Sequence, residues 1–369
     1  MDSKNIGESV HLTIPARIAF LAAICILSFI WSTGTLGMVG LLCGILAAAL
    51  NIVILLDAGN SAPWLLCTAA VNLAAYGAAV VYARSFDVML TALYPLIMAA
   101  AVYLTLRMKM GRSASIAAAA FCGTVLMLAA FAAAVYSQFG ALNAESINAA
   151  LDSIYEPIIE YYNNLLKELA DEANITLAAV DAKKLLYYAK SMLIGSVGAV
   201  MIVLSYFVTL AARVIASAFG VDSIFPAGLR VGISAKITKD GPTVEIFREP
   251  VRWRIELDFV STAVYLLAYA VSVLTATSRN MSLPLMAAEN LILILSPGFF
   301  YCGARDVVLG LRGKASMGRM SRLILIPALL LALINPSSII ILLCALGVIV
   351  TFRENRARRK MQDNGKETK

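Results

Sequence analysis

Glu289 and Asn290 stand side by side in AAENLILILSPGFFYCGARDVVLGLRGK, residues 287 to 314, a run otherwise apolar enough to cross a bilayer. A carboxylate at membrane depth costs a few kcal/mol unless it faces protein or water, so such residues mark either a ligand or ion site or a hydrogen bond between helices. At 100° per residue Asn290, Pro297, Tyr301 and Arg305 fall on one helical face, with Glu289 beside it. Glu289, Asn290, Tyr301 and Arg305 are therefore the candidate ligand-binding residues. Asn51, Asp57 and Asn72 add polarity in two earlier apolar runs.

Other chemistries lack their residues. His11 is the only histidine, which excludes a multi-histidine metal centre within one chain, and its place before the first apolar run excludes a Ser-His-Asp triad in the membrane. There is no GxxxxGK[ST] loop for nucleotide phosphates and no DxxxD array, and a lone NPSS is not a pair of water-channel half-helices. The six cysteines lie in apolar stretches without CxxC spacing and read as small buried hydrophobes. We expect no enzyme, catalytic residue, metal or cofactor.

The elements that must position these residues are helices in lipid. Hydrophobic residues make up 60% of the 369-residue chain and charged ones 14%, and runs of about 20 apolar residues recur. The expected spans are 17–33, 35–56, 62–83, 86–106, 114–137, 191–216, 259–278 and 283–310. A stretch from about 320 to 352, interrupted at Asn335-Pro336-Ser337-Ser338, reads as a hairpin of two short helices. The fold class is an all-α polytopic membrane protein with about eight clear transmembrane helices, about ten with the broken hairpin. The organisation is a five-helix membrane region (1–137), extracytoplasmic amphipathic helices (138–190), a transmembrane helix (191–217), a cytoplasmic loop (218–258), a C-terminal membrane region (259–352) and a basic tail (353–369).

Net charge is +7, but the basic residues lie between and beyond the apolar runs and report topology, not nucleic-acid binding. With the N-terminus inside, 24 of the 30 Lys and Arg residues fall on the inner side. Both termini are then cytoplasmic, and the lipid bilayer is the first partner. Outside, Leu151, Ile154, Tyr155, Ile158, Tyr162, Leu165, Leu166 and Leu169 form an apolar stripe on an acidic helix, which reads as a helical pair on the bilayer surface or as a docking site. Inside, LRVGISAKIT and TVEIF alternate around Lys239-Asp240-Gly241-Pro242, a β-hairpin signal. Arg252, Trp253 and Arg254 follow, placed either at headgroup depth or on an extended segment, and are candidate partner contacts.

The order of several motifs resembles a known family. INAALDSIYEPIIEYYNNLLKELADE, LAARVIASAFG, EPVRWRIELDF, AENLILIL and FFYCGARDVVLGL, with a broken hairpin and basic tail, are similar to the YybS-like bacterial membrane proteins, whose function is not established. The likeness covers residues 140 to 360. The matching residues are Trp253, Arg254, Asn290 and Gly303. The family's proline after the Trp-Arg pair is replaced by Ile255-Glu256, and residues 229 to 248 look like an insertion. The resemblance implies a bacterial inner (cell) membrane protein. The first half is weakly similar to the substrate-binding subunits of energy-coupling-factor vitamin transporters. That likeness implies small-molecule uptake with a coupling subunit and an ATPase supplied in trans, Ala19 and Ala23 touching the coupling subunit. The alternative is a non-transporting scaffold or regulatory protein that recruits partners through its outer helices and cytoplasmic loop.

Overall fold

The computed structural model describes residues 11–33, 37–59, 61–83, 90–173, 182–221, 225, 228–238, 241–251, 255–275, 282–311 and 337–367. Eleven helices are described here: α1 (Ile14–Thr33), α2 (Met38–Ala58), α3 (Ala62–Ala83), α4 (Tyr94–Arg107), α5 (Arg112–Phe139), α6 (Ala144–Ala173), α7 (Ala182–Ser191), α8 (Leu193–Ala218), α9 (Phe259–Thr275), α10 (Leu283–Leu311) and α11 (Ser337–Glu367). Between α8 and α9, β1 (Gly228–Thr238) pairs antiparallel with β2 (Gly241–Val251), Ile233 opposite Ile246. The expected turn at Lys239-Asp240 and the Arg252, Trp253 and Arg254 contacts lie outside the described residues.

Among the described residues six helices, α1, α2, α3, α5, α8 and α10, are long and apolar enough to cross a membrane, and α4 and α9 are shorter apolar helices. The chain is thus a helical, multi-pass membrane protein. Local chemistry sets several of the boundaries. Asn143 and Ser146 cap each other's backbone at the start of α6, the Ser146 N–H donating to Asn143 Oδ1 at 2.8 Å. Asp258 accepts the Ser261 N–H at 2.8 Å and opens α9. Gly140, with φ of 70°, takes the left-handed conformation that ends α5.

Two bundles result. In the first, α1, α2, α4, α5 and α8 surround a core that includes Phe20, Ile24, Ile52, Val53, Met98, Val102, Leu106 and Val208, with α3 packed outside on α1 and α2. In the second, α9, α10 and α11 meet around Tyr265, Phe299, Cys344 and Val348. α8 against α10 joins them. Helices that follow one another in the chain from α1 to α5 and from α8 to α10 alternate in direction, so the bundle has two ends. One carries Arg17, Arg107, Arg112, Arg213, Arg305 and Arg353 and is called the basic end; α6 and α7 lie at the opposite, acidic end.

α10 and α11 run the same way. Cys344 Sγ donates to the Ser296 carbonyl at 3.5 Å, Arg353 reaches Asp306 at 2.7 Å, and Arg305 reaches Glu354 at 2.5 Å. This steady sequence offset means the two helices run parallel. A Cβ on Gly303 would overlap the Leu343 carbonyl, and one on Gly347 the Phe299 carbonyl, so glycine is what lets the backbones touch. The end of α10 and the start of α11 lie at opposite ends of the bundle. Residues 312–336, which connect them, and the expected break at Asn335-Pro336 lie outside the described residues. Ser337 and Ser338 open α11, which continues without interruption from its apolar half into the basic stretch after Thr351.

Candidate functional site

α10 presents its polar residues to three different neighbours. The face read from helical phase does exist along α8: Asn290 meets Gly195, Ile294 meets Gly198, and the Tyr301 ring lies 5.5 Å from that of Tyr206. Asn290 and Tyr301 are nevertheless eleven residues apart, about 16 Å along the helix, and do not form one site.

Asn290 lies toward the acidic end. Its Oδ1 accepts the Gly195 N–H at 2.5 Å, and its Nδ2 donates to the Ser191 carbonyl at 2.8 Å and to the Met286 carbonyl of its own helix at 2.7 Å. Glu289 turns the other way, toward α9, where Oε1 accepts the Ser272 hydroxyl. Both polar side chains are thus bonded between helices. In hydrocarbon one such bond contributes about 0.6 to 2 kcal/mol.

Tyr301 belongs to a second cluster, nearer the basic end. The buried Arg112 guanidinium of α5 stacks 5.0 Å from the centre of the Tyr206 ring of α8, which in turn meets Tyr301 of α10. A cation over an aromatic face contributes about 2 kcal/mol when desolvated. Beside it, Ser113 accepts the Glu256 N–H and donates to the Glu256 carbonyl, both at 2.8 Å, fixing the segment before α9 onto α5.

Arg305 completes this end. It donates to the Ile255 carbonyl, in the segment before α9, at 3.3 Å and pairs with Glu354 of α11. The crossed pair Arg353–Asp306 lies next to it. Comparison of the chain with protein families, curated proteins and solved structures finds no match. The site residues are therefore judged on their geometry.

The remaining candidates are separate. Ala19 is exposed and Ala23 is half-buried against the first core, so the two do not present one uniform surface. Asp57, at the basic end of α2, accepts from Arg17 Nε at 2.7 Å and from the Leu12 N–H at 3.0 Å, with His11 Nδ1 at 3.2 Å, and Arg17 also lies over Trp64. Asn51 and Asn72 bond reciprocally between α2 and α3 at 3.2 and 2.7 Å. On α6 the apolar stripe is only partly covered: Leu151 is buried and Tyr155 half-buried, while Ile154, Ile158, Tyr162 and Leu165 are exposed, as is Tyr161. The side chains of Leu166 and Leu169 lie outside the described residues.

The sequence reading missed Gly195, Ser191, Ser272, Arg112 and Tyr206. Only Arg112 carried a usable signal, being a charge at the edge of an apolar run. A glycine or serine in such a run gives no indication of which neighbour it receives.

Proposed function

We propose that this chain is a non-transporting membrane scaffold or regulatory protein, holding a rigid helical body in the bilayer and recruiting partners through its extracytoplasmic helices and cytoplasmic loop. One observation carries the reading: Asn290 and Glu289 are bonded to Ser191, Gly195 and Ser272, while Ile154, Ile158, Tyr161 and Tyr162 on α6 lie open. The polarity inside the membrane holds helices together, and part of the uncovered apolar surface lies on α6, outside the spans. The parallel run of α10 and α11 is compatible with both termini on one side, and the distribution of basic residues favours the cytoplasm for that side.

A photo-crosslinking residue at Tyr161 or Tyr162 in native membranes tests this. A discrete adduct that disappears with Ile158→Ser supports recruitment; crosslinks to lipid alone overturn it. A membrane-impermeant reagent should reach a probe at Tyr162 and fail to reach one at Arg356.

A small-molecule-binding subunit served by a coupling subunit and an ATPase is the second reading. It is favoured by Arg112, Tyr206 and Tyr301, which place a cation and two phenol rings where the two bundles meet. Native purification with mass spectrometry decides between them: a co-eluting ATPase and a retained small molecule would establish transport, and the absence of both would exclude it.

A further inference from the structure

The Ser191 carbonyl and the Gly195 N–H are four residues apart, the separation at which an unbroken α-helix pairs them with each other. Here one foreign side chain takes both. Asn290 Oδ1 accepts from Gly195 and Nδ2 donates to Ser191, so the amide of α10 is inserted into the backbone ladder between α7 and α8. The ladder resumes beyond the turn: the Met192 N–H donates to the Tyr188 carbonyl at 3.1 Å, and the Ser196 N–H to the Met192 carbonyl at 2.9 Å. Met192 itself, at φ −97° and ψ 5°, leaves the helical region and makes the turn that separates the two helices.

We propose that Asn290 is a removable wedge and that α7 and α8 form a two-state joint. With the wedge in, α7 and α8 are distinct helices. With the wedge out, Ser191 and Gly195 pair directly and the two become one straight helix. The Ser191 carbonyl and the Gly195 N–H each have a partner in both states, and Nδ2 keeps its bond to the Met286 carbonyl; Oδ1 is the atom that gives up its donor when the wedge leaves. Gly195 is the residue that admits the wedge. A Cβ there would lie 2.7 Å from Asn290 Oδ1 and 2.8 Å from its Cα.

The joint moves more than α7. Lys190, next to it, pairs with Asp152 of α6 at 2.6 Å and donates to Asn148 at 3.3 Å, so α6 is tied to α7 just above the turn. A displacement of α10 against α8 therefore re-aims the whole extracytoplasmic pair. This coupling holds whichever molecule meets that pair.

The test uses the full chain in lipid nanodiscs. Asn290→Leu removes the amide, and Gly195→Ala closes its entry. Amide hydrogen exchange is read at Gly195. Spin labels at the exposed positions Tyr187 and Val200, with the six native cysteines replaced by alanine, report the angle of the joint. In a continuous helix these positions lie about 20 Å apart. Both variants are expected to converge on that separation while exchange stays within about threefold of the wild type, because the freed groups pair with each other. Unchanged separation with exchange about tenfold faster or more would show Asn290 to be a fixed cap and overturn the proposal. The variants act on opposite sides of the contact, so one folded variant suffices for the reading. If neither accumulates, the proposal also falls, since a two-state joint must survive the loss of its wedge.

Discussion

The two bundles hold their helices together by different means. In the first, buried side chains fill the space between α1, α2, α4, α5 and α8, and several glycines face open space: a Cβ on Gly40 or Gly77 would meet nothing within 4 Å. In the second, the described core centres on Tyr265, Phe299, Cys344 and Val348, and α10 lies directly on α11 through Gly303 and Gly347. Lipid supplies no hydrophobic drive between helices, so association rests on contact area and polar bonds. A side-chain core can relax around a change of volume. A backbone contact cannot, because a carbonyl has no rotamer to move into.

The largest expected effect tests the anchored side of the first bundle. Asp57 is buried, and Arg17 is its closest cation. Arg17→Leu leaves that carboxylate without its main partner, and losing one member of a buried pair costs about 3 to 5 kcal/mol. A matching fall in stability should appear in detergent unfolding, and the Arg17→Leu/Asp57→Leu double variant should recover much of it. A loss below about 1 kcal/mol would mean that water reaches Asp57 and that this end of the bundle is looser than the structure shows.

Next comes the contact that distinguishes the second bundle. Gly347→Ala should cost about 3 kcal/mol, the upper range for overpacking, and should separate α11 from α10. Breaking the Arg353–Asp306 and Arg305–Glu354 pairs should follow as a consequence, seen as faster hydrogen exchange around 351–356. An unchanged melting temperature for this variant would place the two bundles in the same packing class.

Much of this layout was legible in the sequence. Apolar runs gave the helices because lipid forces the backbone to bond within its own segment, and few other patterns satisfy that demand. Helical phase placed Asn290 and Tyr301 on one face, which is the face along α8. What phase lacks is the identity of the neighbour. Asn290 fits a ligand site or, more readily, a bond between helices, and it is Gly195, a glycine without local distinction in IGSVGAV, that receives the amide oxygen. By phase Arg305 extends the same face, yet its charge is met by Glu354, a partner that the phase of α10 alone does not identify. Likewise, α6 announced its apolar stripe without showing how little of it the rest of the protein covers.

Two smaller effects sharpen the contrast. Asn72→Leu removes half of the reciprocal amide pair, leaves Asn51 its bond to the Ala47 carbonyl, and should cost about 1 kcal/mol. Gly77→Ala adds a methyl group where a Cβ meets nothing among the described residues, on a helix that packs mainly on α1 and α2, so stability should stay within about 0.5 kcal/mol of the wild type. The informative quantity is the ratio of Gly347→Ala to Gly77→Ala, the same chemical change made in the two bundles. A ratio of several-fold locates the rigid contact at α10 and α11. Equal effects would mean that the open face of α3 is itself covered in the membrane, and the extra energy lost at Gly77 would then measure the contact a second molecule makes there.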